Sequence, residues 1–423
     1  MLLTRLWNNS RGGVAPMLAI TIIPLLGAVG AAVDFTRANA ARASFQSALD
    51  ATALMLSKTA TTDPDINGTA NNYVHALFTR ADTSNVVVQA SYSNAAGSKV
   101  VLSGTATVAT DFLKVVGFDQ IDIGAKSTST WGNTRLRVAL VLDNTGSMAD
   151  DGKIDALKTA SQNLLGQIKS AALNAEDVYV SIVPFSKDVN VDPSNYDQSW
   201  VRWDLWDPLN GSCSKTSYHK QSTCTQNGGK WTPANHNTWN GCVTDRDQNF
   251  DTTNDAPVSG STLYPAEQYA SCAASVIGLS NDWTALGNKI TAMQPNGNTN
   301  QAIGLQLGWQ TLTAAPYTVP AQDPNYQYNQ VIILLTDGLN TQDRWYSNAS
   351  SIDAREQKTC ANIKAAGIVL YTVQVNTGGD PTSTLLQNCA SDAGKFFLLT
   401  SSTQIVTTFN QIGTALTKLR LAN

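Results

Sequence analysis

Hydrophobic and polar residues follow three different patterns along the chain, and the first is a long apolar run. From Gly12 to Val33, 22 consecutive residues carry no charge, and an Ala-rich sequence from Phe35 to Lys58 continues in the same helical manner. As a helix, such a run is about 33 Å long, enough to cross a hydrocarbon core of about 30 Å. The pattern therefore predicts one uncleaved membrane helix that extends into a stalk.

Two other interpretations of this run stay open. The small residues from Ala28 to Ala32 could form the cleavage site of a signal peptide, and a buried soluble helix could also be apolar. Arg5 and Arg11 before the run are balanced by Arg37 and Arg42 after it, so the positive-inside rule barely decides the orientation. We expect a short amino-terminal tail inside the cell and a large folded part outside.

The second pattern, over residues 60–130, is that of a small α+β region. Val86–Tyr92 is strand-like, and apolar residues alternate with polar ones from Val100 to Val108 after a cluster of turn residues. This predicts a hairpin with one buried face. Phe112–Phe118 forms a short apolar segment before the alternation resumes.

The third pattern begins at Arg135, where runs of consecutive apolar residues alternate with amphipathic segments. The predicted strands are Leu136–Leu142, Val178–Pro184, Val331–Leu335, Ile368–Val375 and Lys395–Leu399. The predicted helices are Lys153–Ile168, Asp282–Met293, Asn300–Leu312, Asp353–Ala366, Thr382–Ala390 and Thr403–Leu419. Such alternation is typical of a doubly wound α/β domain with a parallel sheet, whose ligand site lies at the carboxyl ends of the strands.

Between about residues 192 and 280 the alternation stops, which indicates a long insertion. It holds five of the ten tryptophans, four of the six cysteines and two of the three histidines. The tryptophans could form a binding surface or the insertion's own core; they are Trp200, Trp203, Trp206, Trp231 and Trp239. A cluster of four aspartates could hold calcium, but its spacing is not that of an EF-hand, so a solvated loop is the favoured prediction; they are Asp245, Asp247, Asp251 and Asp255.

These patterns predict three parts of the chain: a tail and anchor at 1–34, a helix with a small αβ region at 35–132, and the α/β domain at 133–423.

Charged residues make up only 14% of the 423 residues and the net charge is −4. This balance argues against a nucleic-acid partner, which usually needs a basic surface. No G-x-S-x-G or P-loop string is present, and Thr145 stands where a haloacid-dehalogenase-type phosphatase needs Asp. We therefore expect a protein that is not an enzyme.

Three segments at predicted strand ends could supply metal ligands. The first strand ends in a turn with Asp143, Thr145 and Ser147, a loop before a helix contains Thr299, and another strand ends at Asp337. Carboxylate and hydroxyl oxygens are ligands that hard divalent cations prefer. Since all three segments lie at the ligand edge of a parallel sheet, the sequence predicts one shared site.

These strings resemble those of von Willebrand factor A domains, whose metal-ion-dependent adhesion site uses D-x-S-x-S, a later Thr and a later Asp. The resemblance implies that Thr145, Ser147 and Thr299 bind the metal through hydroxyls, and that Asp143 and Asp337 bind it directly or through water. Thr145 stands where the family usually has Ser, which keeps the oxygen and adds a methyl group. The implied ion is Mg²⁺, with Ca²⁺ or Mn²⁺ as alternatives, and an Asp or Glu of a protein partner would complete its shell.

The cysteines could form a zinc site or disulfide bonds. Cys213, Cys224, Cys242 and Cys272, with His219 and His236 between them, match no common zinc spacing. Outside the cytoplasm, disulfides are the better account, and four cysteines permit three pairings that the sequence does not resolve. Cys360 and Cys389 flank one predicted strand and could pair across it.

The whole arrangement resembles TadG-like proteins of the tight-adherence (Tad/Flp) pilus machinery. The telling parts are Arg11–Pro16, the segment that ends in Ala32–Phe35, and the run Gln46–Leu54. The resemblance implies a bacterial inner-membrane protein with one span and its bulk in the periplasm, which acts with other pilus-assembly components. Met17 or Leu18 stands where processed pilins usually carry Glu, which argues against prepilin-type cleavage.

Two further function classes stay open. A secreted or surface adhesin would bind a host or matrix ligand directly, and release into the medium would mark it. An accessory subunit that engages a cytoplasmic motor would be marked by reduced cysteines and a cytoplasmic carboxyl terminus.

Overall fold

The chain folds into two compact units that divide between Asn133 and Thr134. The computed structural model describes residues 14–60, 63–94, 98–131, 134–324 and 326–421. Arg5, Arg11 and the start of the predicted membrane span at Gly12 lie outside the described residues.

Among its described residues, the first unit contains two α-helices and an antiparallel sheet of three strands, which pair in chain order. Its elements are α1 (Val14–Leu56), α2 (Ile66–Leu77), β1 (Thr83–Ser93), β2 (Ser98–Ala109) and β3 (Gln120–Trp131). The predicted hairpin is formed by β1 and β2, and β2 buries alternate residues, among them Val100 and Leu102. The sequence pattern did not indicate α2, because this short polar helix buries only Ala70 and Val74.

One face of α1 packs on the sheet from residue 38 onward. Its buried residues recur every three or four positions, as a helix facing a core requires; they are Ala38, Ala41, Phe45, Ala48, Leu49, Ala53 and Leu56. The helix runs without a break through Asp34, so the predicted anchor and stalk belong to one helix. Within the described ranges, no helix combines the length and the apolar character needed to cross a bilayer. The membrane span therefore stays a prediction.

The second unit is built on a sheet of eight strands. Five consecutive strands, including one edge strand, are parallel; in their order across the sheet they are β5 (Val178–Phe185), β4 (Thr134–Asp143), β13 (Gln327–Thr336), β14 (Val369–Val375) and β15 (Phe396–Leu399). Three short strands extend the β5 edge in antiparallel pairings. These three are β6 (Val189–Asn190), β10 (Cys242–Val243) and β12 (Ile277–Ser280). The predicted parallel sheet is confirmed, and parts of the insertion widen it.

Helices cover both faces of this sheet. One layer contains α3 (Lys153–Ala171), α5 (Trp283–Ala292) and α9 (Thr403–Leu421), and the other contains α6 (Gln301–Thr313), α7 (Ala349–Ala365) and α8 (Thr384–Cys389). β4 shows why two layers are needed: Val138 and Leu140 face the first layer, whereas Ala139 and Val141 face the second. The doubly wound architecture follows from strands that are apolar on both faces.

The insertion folds around its own tryptophans and disulfides. Trp206 and Trp239 are buried, and the half-buried Trp203 stacks on His236 with ring centroids 3.7 Å apart. These rings therefore form an interior instead of a binding surface. The short elements of the insertion are β7 (Val201–Arg202), β8 (Gly211–Cys213), α4 (Gln221–Gln226), β9 (Trp231–Pro233) and β11 (Tyr264–Pro265). The disulfides Cys213–Cys224 and Cys242–Cys272 lie within it, and Cys360–Cys389 joins α7 to α8.

The expectation of a solvated acidic loop at residues 245–255 is wrong for Asp245 and Asp251, whereas Asp255 is exposed as expected. Asp245 and Asp251 are buried, and the carboxylate of Asp251 pairs with the guanidinium of Arg355 on α7. Asp247 accepts hydrogen bonds from Arg202 and Arg344, which lower its pKa. These arginines are 45 to 104 positions distant in sequence, so the spacing of the aspartates gave no sign of them.

Candidate metal-binding site

The predicted site lies at the carboxyl edge of the central sheet, where β4 and β13 end side by side. Leu142 pairs in register with Leu335, so Asp143 and Thr336 are neighbours. The Thr336 hydroxyl donates a hydrogen bond of 2.7 Å to Asp143 Oδ2. Parallel pairing of two buried strands thus brings together residues 193 positions apart.

Direct contacts connect four of the five predicted ligands. The Thr145 amide donates to Asp143 Oδ1 at 2.8 Å, and the hydroxyl oxygens of Thr145 and Ser147 are 3.3 Å apart. The Ser147 hydroxyl donates to Asp337 Oδ1 at 2.7 Å. Asp143, Thr145, Ser147 and Asp337 therefore form one continuous cluster of oxygens.

Thr299, the fifth predicted ligand, lies in the adjoining loop and is buried. This loop is tied to the first by two backbone hydrogen bonds, from Gly146 N to the Gly297 carbonyl (3.0 Å) and from Asn296 N to the Asn144 carbonyl (2.8 Å). The Thr299 amide donates to the Thr341 hydroxyl at 2.8 Å, which fixes its position. The structure thus brings the three predicted segments to one place.

Lys153, at the start of α3, is a member of the site that the sequence analysis missed. Its ammonium nitrogen lies 2.6 Å from Asp337 Oδ2, and both side chains are buried. A lysine in the first turn of a helix is electrostatically unfavourable, because that end of a helix carries partial positive charge. The unfavourable position of this lysine was the only sign of the contact in the sequence. The ion pair with Asp337 explains why a lysine lies there.

A second group of residues, which the sequence patterns did not indicate, holds the loop that carries Asp337 in place by hydrogen bonds. Asn340 accepts a hydrogen bond from the Gln301 amide (2.8 Å) and donates one to Glu356 Oε2 (2.6 Å). Gln301 in turn donates from Nε2 to the Gly338 carbonyl at 3.0 Å. Burial and the neighbouring charge of Asp353 raise the pKa of Glu356 to about 8, against the opposing hydrogen bond from Asn340. This hydrogen-bonded group therefore fixes the end of β13 against the start of α6.

The electrostatics of the cluster favour a bound cation. Burial and the nearby charge of Asp337 raise the pKa of Asp143 to about 6, although hydrogen bonds from Thr145 and Thr336 oppose the rise. Within the described part of the chain, one cationic side chain pairs with either of these two mutually repelling carboxylates: the ammonium of Lys153, with Asp337. Carboxylate and hydroxyl oxygens suit a hard divalent cation, so the residues present fit the predicted ion.

The alternative zinc site is excluded, because the four cysteines of the insertion pair as disulfides and His236 contacts Asp207 at 2.8 Å. Among the described residues, one other group has the spacing of a metal site: Glu356, Cys360 and Cys389. Its two sulfur atoms are joined in a disulfide, so this group offers no thiolate ligand.

Comparison with known families gives two matches. Residues 12–55 match the family described as Tad, Flp pilus-assembly TadE/G-like, and residues 264–411 match the von Willebrand factor type A domain. The second range contains Thr299 and Asp337, whereas Asp143 to Ser147 precede it. The two matches confirm the resemblance to TadG-like proteins with an A domain. A comparison with curated protein sequences gave no significant match.

Solved structures provide further comparisons. The pilus adhesin SpaC from Lactobacillus rhamnosus GG is 13% identical with a TM-score of 0.39, over 80% of this chain and 35% of that one. The von Willebrand domain of the type V pilus tip protein Mfa5 from Porphyromonas gingivalis is 10% identical with a TM-score of 0.37, over 67% and 95%. Proximal thread matrix protein 1 from the mussel byssus, with a zinc-occupied MIDAS motif, is 13% identical with a TM-score of 0.35, over 68% and 47%. The chain therefore spans about a third of SpaC and about half of the mussel protein.

Proposed function

We propose that this chain, which combines a TadE/G-like segment with a von Willebrand factor A domain, is a membrane-anchored envelope component of a Tad/Flp pilus system. In this proposal, the A domain engages a protein partner through a divalent cation held by Asp143, Thr145, Ser147, Thr299 and Asp337. The anchor is the apolar half of α1, in a bacterial inner membrane, with the folded units in the periplasm.

The observation that carries the proposal is the oxygen cluster at the edge of the sheet, where Asp143, Thr145, Thr299 and Asp337 are buried and Ser147 is exposed. When bound, a divalent cation supplies a coordination position that a carboxylate of a partner protein can occupy. Asp143 and Asp337 would hold the ion by charge, and the hydroxyls of Thr145, Ser147 and Thr299 would hold it without neutralising it further. An ion with several neutral ligands stays electrophilic, which favours capture of an Asp or Glu from the partner.

Two features support the proposed location. The side chains of α1 at Ile22, Leu25 and Leu26 are large, apolar and exposed, as a lipid-facing helix requires. Three disulfides use all six cysteines, which fits an oxidising compartment such as the periplasm. We accordingly propose a binding role rather than a catalytic one.

The test is a crosslinking experiment in intact cells that assemble the pilus, comparing Asp143→Ala with Asp150→Ala. Asp150 is exposed and lies three residues after Ser147, so its variant removes a carboxylate nearby without touching the cluster. We expect partner crosslinks to disappear with Asp143→Ala and with chelator, and to persist with Asp150→Ala. If Asp143→Ala and chelation both leave the crosslinks unchanged, the metal-dependent part of the proposal is wrong.

Cell fractionation tests the location separately. We expect the chain in the inner-membrane fraction, with the A domain accessible to protease only after the outer membrane is opened. Release into the medium, or exposure on cells without pili, would instead identify a secreted or surface adhesin.

A further inference from the structure

An exposed apolar loop connects β2 to β3 in the first unit. Within seven residues, four large apolar side chains face solvent: Phe112 is 51% exposed, Val115 86%, Val116 64% and Phe118 64%. Folded proteins seldom leave such a concentration of apolar surface without a partner. We call residues 112–118 the apolar loop.

Asp34 of α1 fixes this loop to the helix. The buried carboxylate accepts three backbone hydrogen bonds, from the amides of Asp111 (3.0 Å), Phe112 (2.9 Å) and Leu113 (2.7 Å). A single side chain thus holds three consecutive amides of the loop, so the start of the loop has a defined position on the helix.

Contacts on both sides of Asp34 strengthen this attachment. One turn earlier, Gly30 lies so close to Phe112 that an added Cβ would be 2.6 Å from the Phe112 Cβ. One turn later, the guanidinium of Arg37 pairs with the carboxylate of Asp111. The base of the loop is therefore seated along about two turns of α1.

The place of attachment is where α1 changes character. Before Asp34, large apolar side chains of the helix are 42% to 64% exposed; they are Ile22, Leu25, Leu26, Val29 and Val33. After Asp34, the helix buries one face on the sheet, beginning at Ala38. The apolar loop lies at this junction, so its side chains continue the exposed apolar surface of the helix.

We propose that the apolar loop is a second membrane-contacting element, which inserts into the surface of the phospholipid bilayer beside the point where α1 leaves it. This inference rests on the proposed membrane anchor. Phe112, Val115, Val116 and Phe118 enter the boundary between headgroups and acyl chains, as amphipathic interfacial segments do. The exposed Lys114 among them directs its ammonium group to lipid phosphates. Asp34 thereby sets the depth of the first unit relative to the bilayer.

The test uses the full chain in phospholipid vesicles that contain anionic lipid, with a fluorophore on a single introduced cysteine. Because the six natural cysteines are all in disulfides, each introduced thiol is labelled alone. Val115→Cys reports the loop, Val29→Cys reports the helix, and Asn94→Cys is the control. Asn94 lies in the turn at the other end of β2, about 40 Å away along a strand of 12 residues.

Lipids that carry a nitroxide near the headgroup quench a fluorophore in the interface. We expect at least about twofold quenching of the label at position 115, comparable quenching at 29, and none at 94. Quenching at 29 without quenching at 115 would overturn the inference and leave the anchor intact. Quenching at 115 without quenching at 29 would support insertion of the apolar loop into the bilayer surface and contradict the proposed membrane anchor.

Two further measurements separate lipid from protein as the occupant and test Asp34. If emission of the label at position 115 is unchanged by nitroxide lipid but changes with protein concentration, the loop contacts a second copy of the chain. That result would contradict the inference. Asp34→Ala should reduce quenching at 115 and leave quenching at 29 unchanged, whereas the exposed Asp50→Ala on the same helix should change neither. Unchanged quenching at 115 in Asp34→Ala would show that Asp34 does not position the loop.

Discussion

Replacing Lys153 by Met should destabilise the second unit in the absence of metal and much less in its presence. In the structure, the ammonium of Lys153 lies 2.6 Å from Asp337 Oδ2, with 7% and 0% of the two side chains exposed. Removing one partner of a buried ion pair leaves the other charge without compensation and costs about 3 to 5 kcal/mol. At about 2 °C per kcal/mol for a domain of this size, the melting temperature should fall by about 6 to 10 °C.

The assay is a double-mutant cycle measured by thermal unfolding in chelator, with Lys153→Met, Asp337→Asn and the combined variant. Asp337→Asn removes the charge that Lys153→Met would leave uncompensated, so the combined variant should be more stable than the sum of the single effects predicts. The coupling should exceed about 1 kcal/mol, since contacting residues couple by about 0.5 to 3 kcal/mol. The half-buried Lys158 on the same helix supplies the control, Lys158→Met, which should change the melting temperature little.

Metal provides the second half of this prediction. A divalent cation on Asp143 and Asp337 would replace the missing positive charge, so Mg²⁺ should raise the melting temperature of Lys153→Met more than that of the unaltered protein. Additive single effects, within about 0.5 kcal/mol, would show that Lys153 and Asp337 do not interact. An equal Mg²⁺ response in both proteins would refute the idea that Lys153 offsets charge at the metal site.

Three more predictions concern the metal site, the disulfide between α7 and α8, and the interior of the insertion. The pKa of Asp143 is raised from 3.8 to about 6 in the folded state. The free energy of unfolding without metal should therefore fall by ~3 kcal/mol as the pH rises from 3.8 to about 6. The stabilisation by Mg²⁺ should grow over the same pH range. Asp143→Asn should remove this contribution; an identical pH profile in urea titrations of both proteins would contradict it. Replacing both Cys360 and Cys389 by Ser should cost about 3.6 kcal/mol in urea unfolding, because their bridge closes a loop of 29 residues; no change in the midpoint would contradict a formed disulfide. Trp206→Ala should cost about 3 to 5 kcal/mol through loss of a buried ring, whereas a loss below about 1 kcal/mol, measured in the same way, would place the ring at the surface.

Much of the second unit could be predicted because its strands are buried on both faces. Such strands appear in the sequence as continuous apolar runs, and the predicted run Leu136–Leu142 lies within β4. The helix α6 was predicted correctly within a residue at each end, since Asn300 caps it by accepting the Ile303 amide. Strong local signals of this kind do not depend on the rest of the fold.

Contacts between distant segments could not be predicted in the same way. Nothing near Lys153 indicates Asp337, which is 184 positions away, and nothing near Asp251 indicates Arg355. Asp34 and the amides of residues 111–113 are similarly separated by almost 80 positions. Each of these pairings depends on the path of the chain between the partners, which the local pattern does not contain.

The sequence by itself determined the main strands and helices of the second unit, the order of the units and the identity of the predicted ligands, because periodicity, turn residues and strand-end oxygens are local properties. Only the tertiary structure decided which cysteines pair, that the acidic segment of the insertion is buried against arginines, and that an ammonium group shares the oxygen cluster. Those outcomes depend on burial, which raises the cost of an unpaired charge and so selects partners by proximity in space. The hydroxyls and carboxylates of the site are therefore visible in the sequence, but their electrostatic balance is a property of the fold.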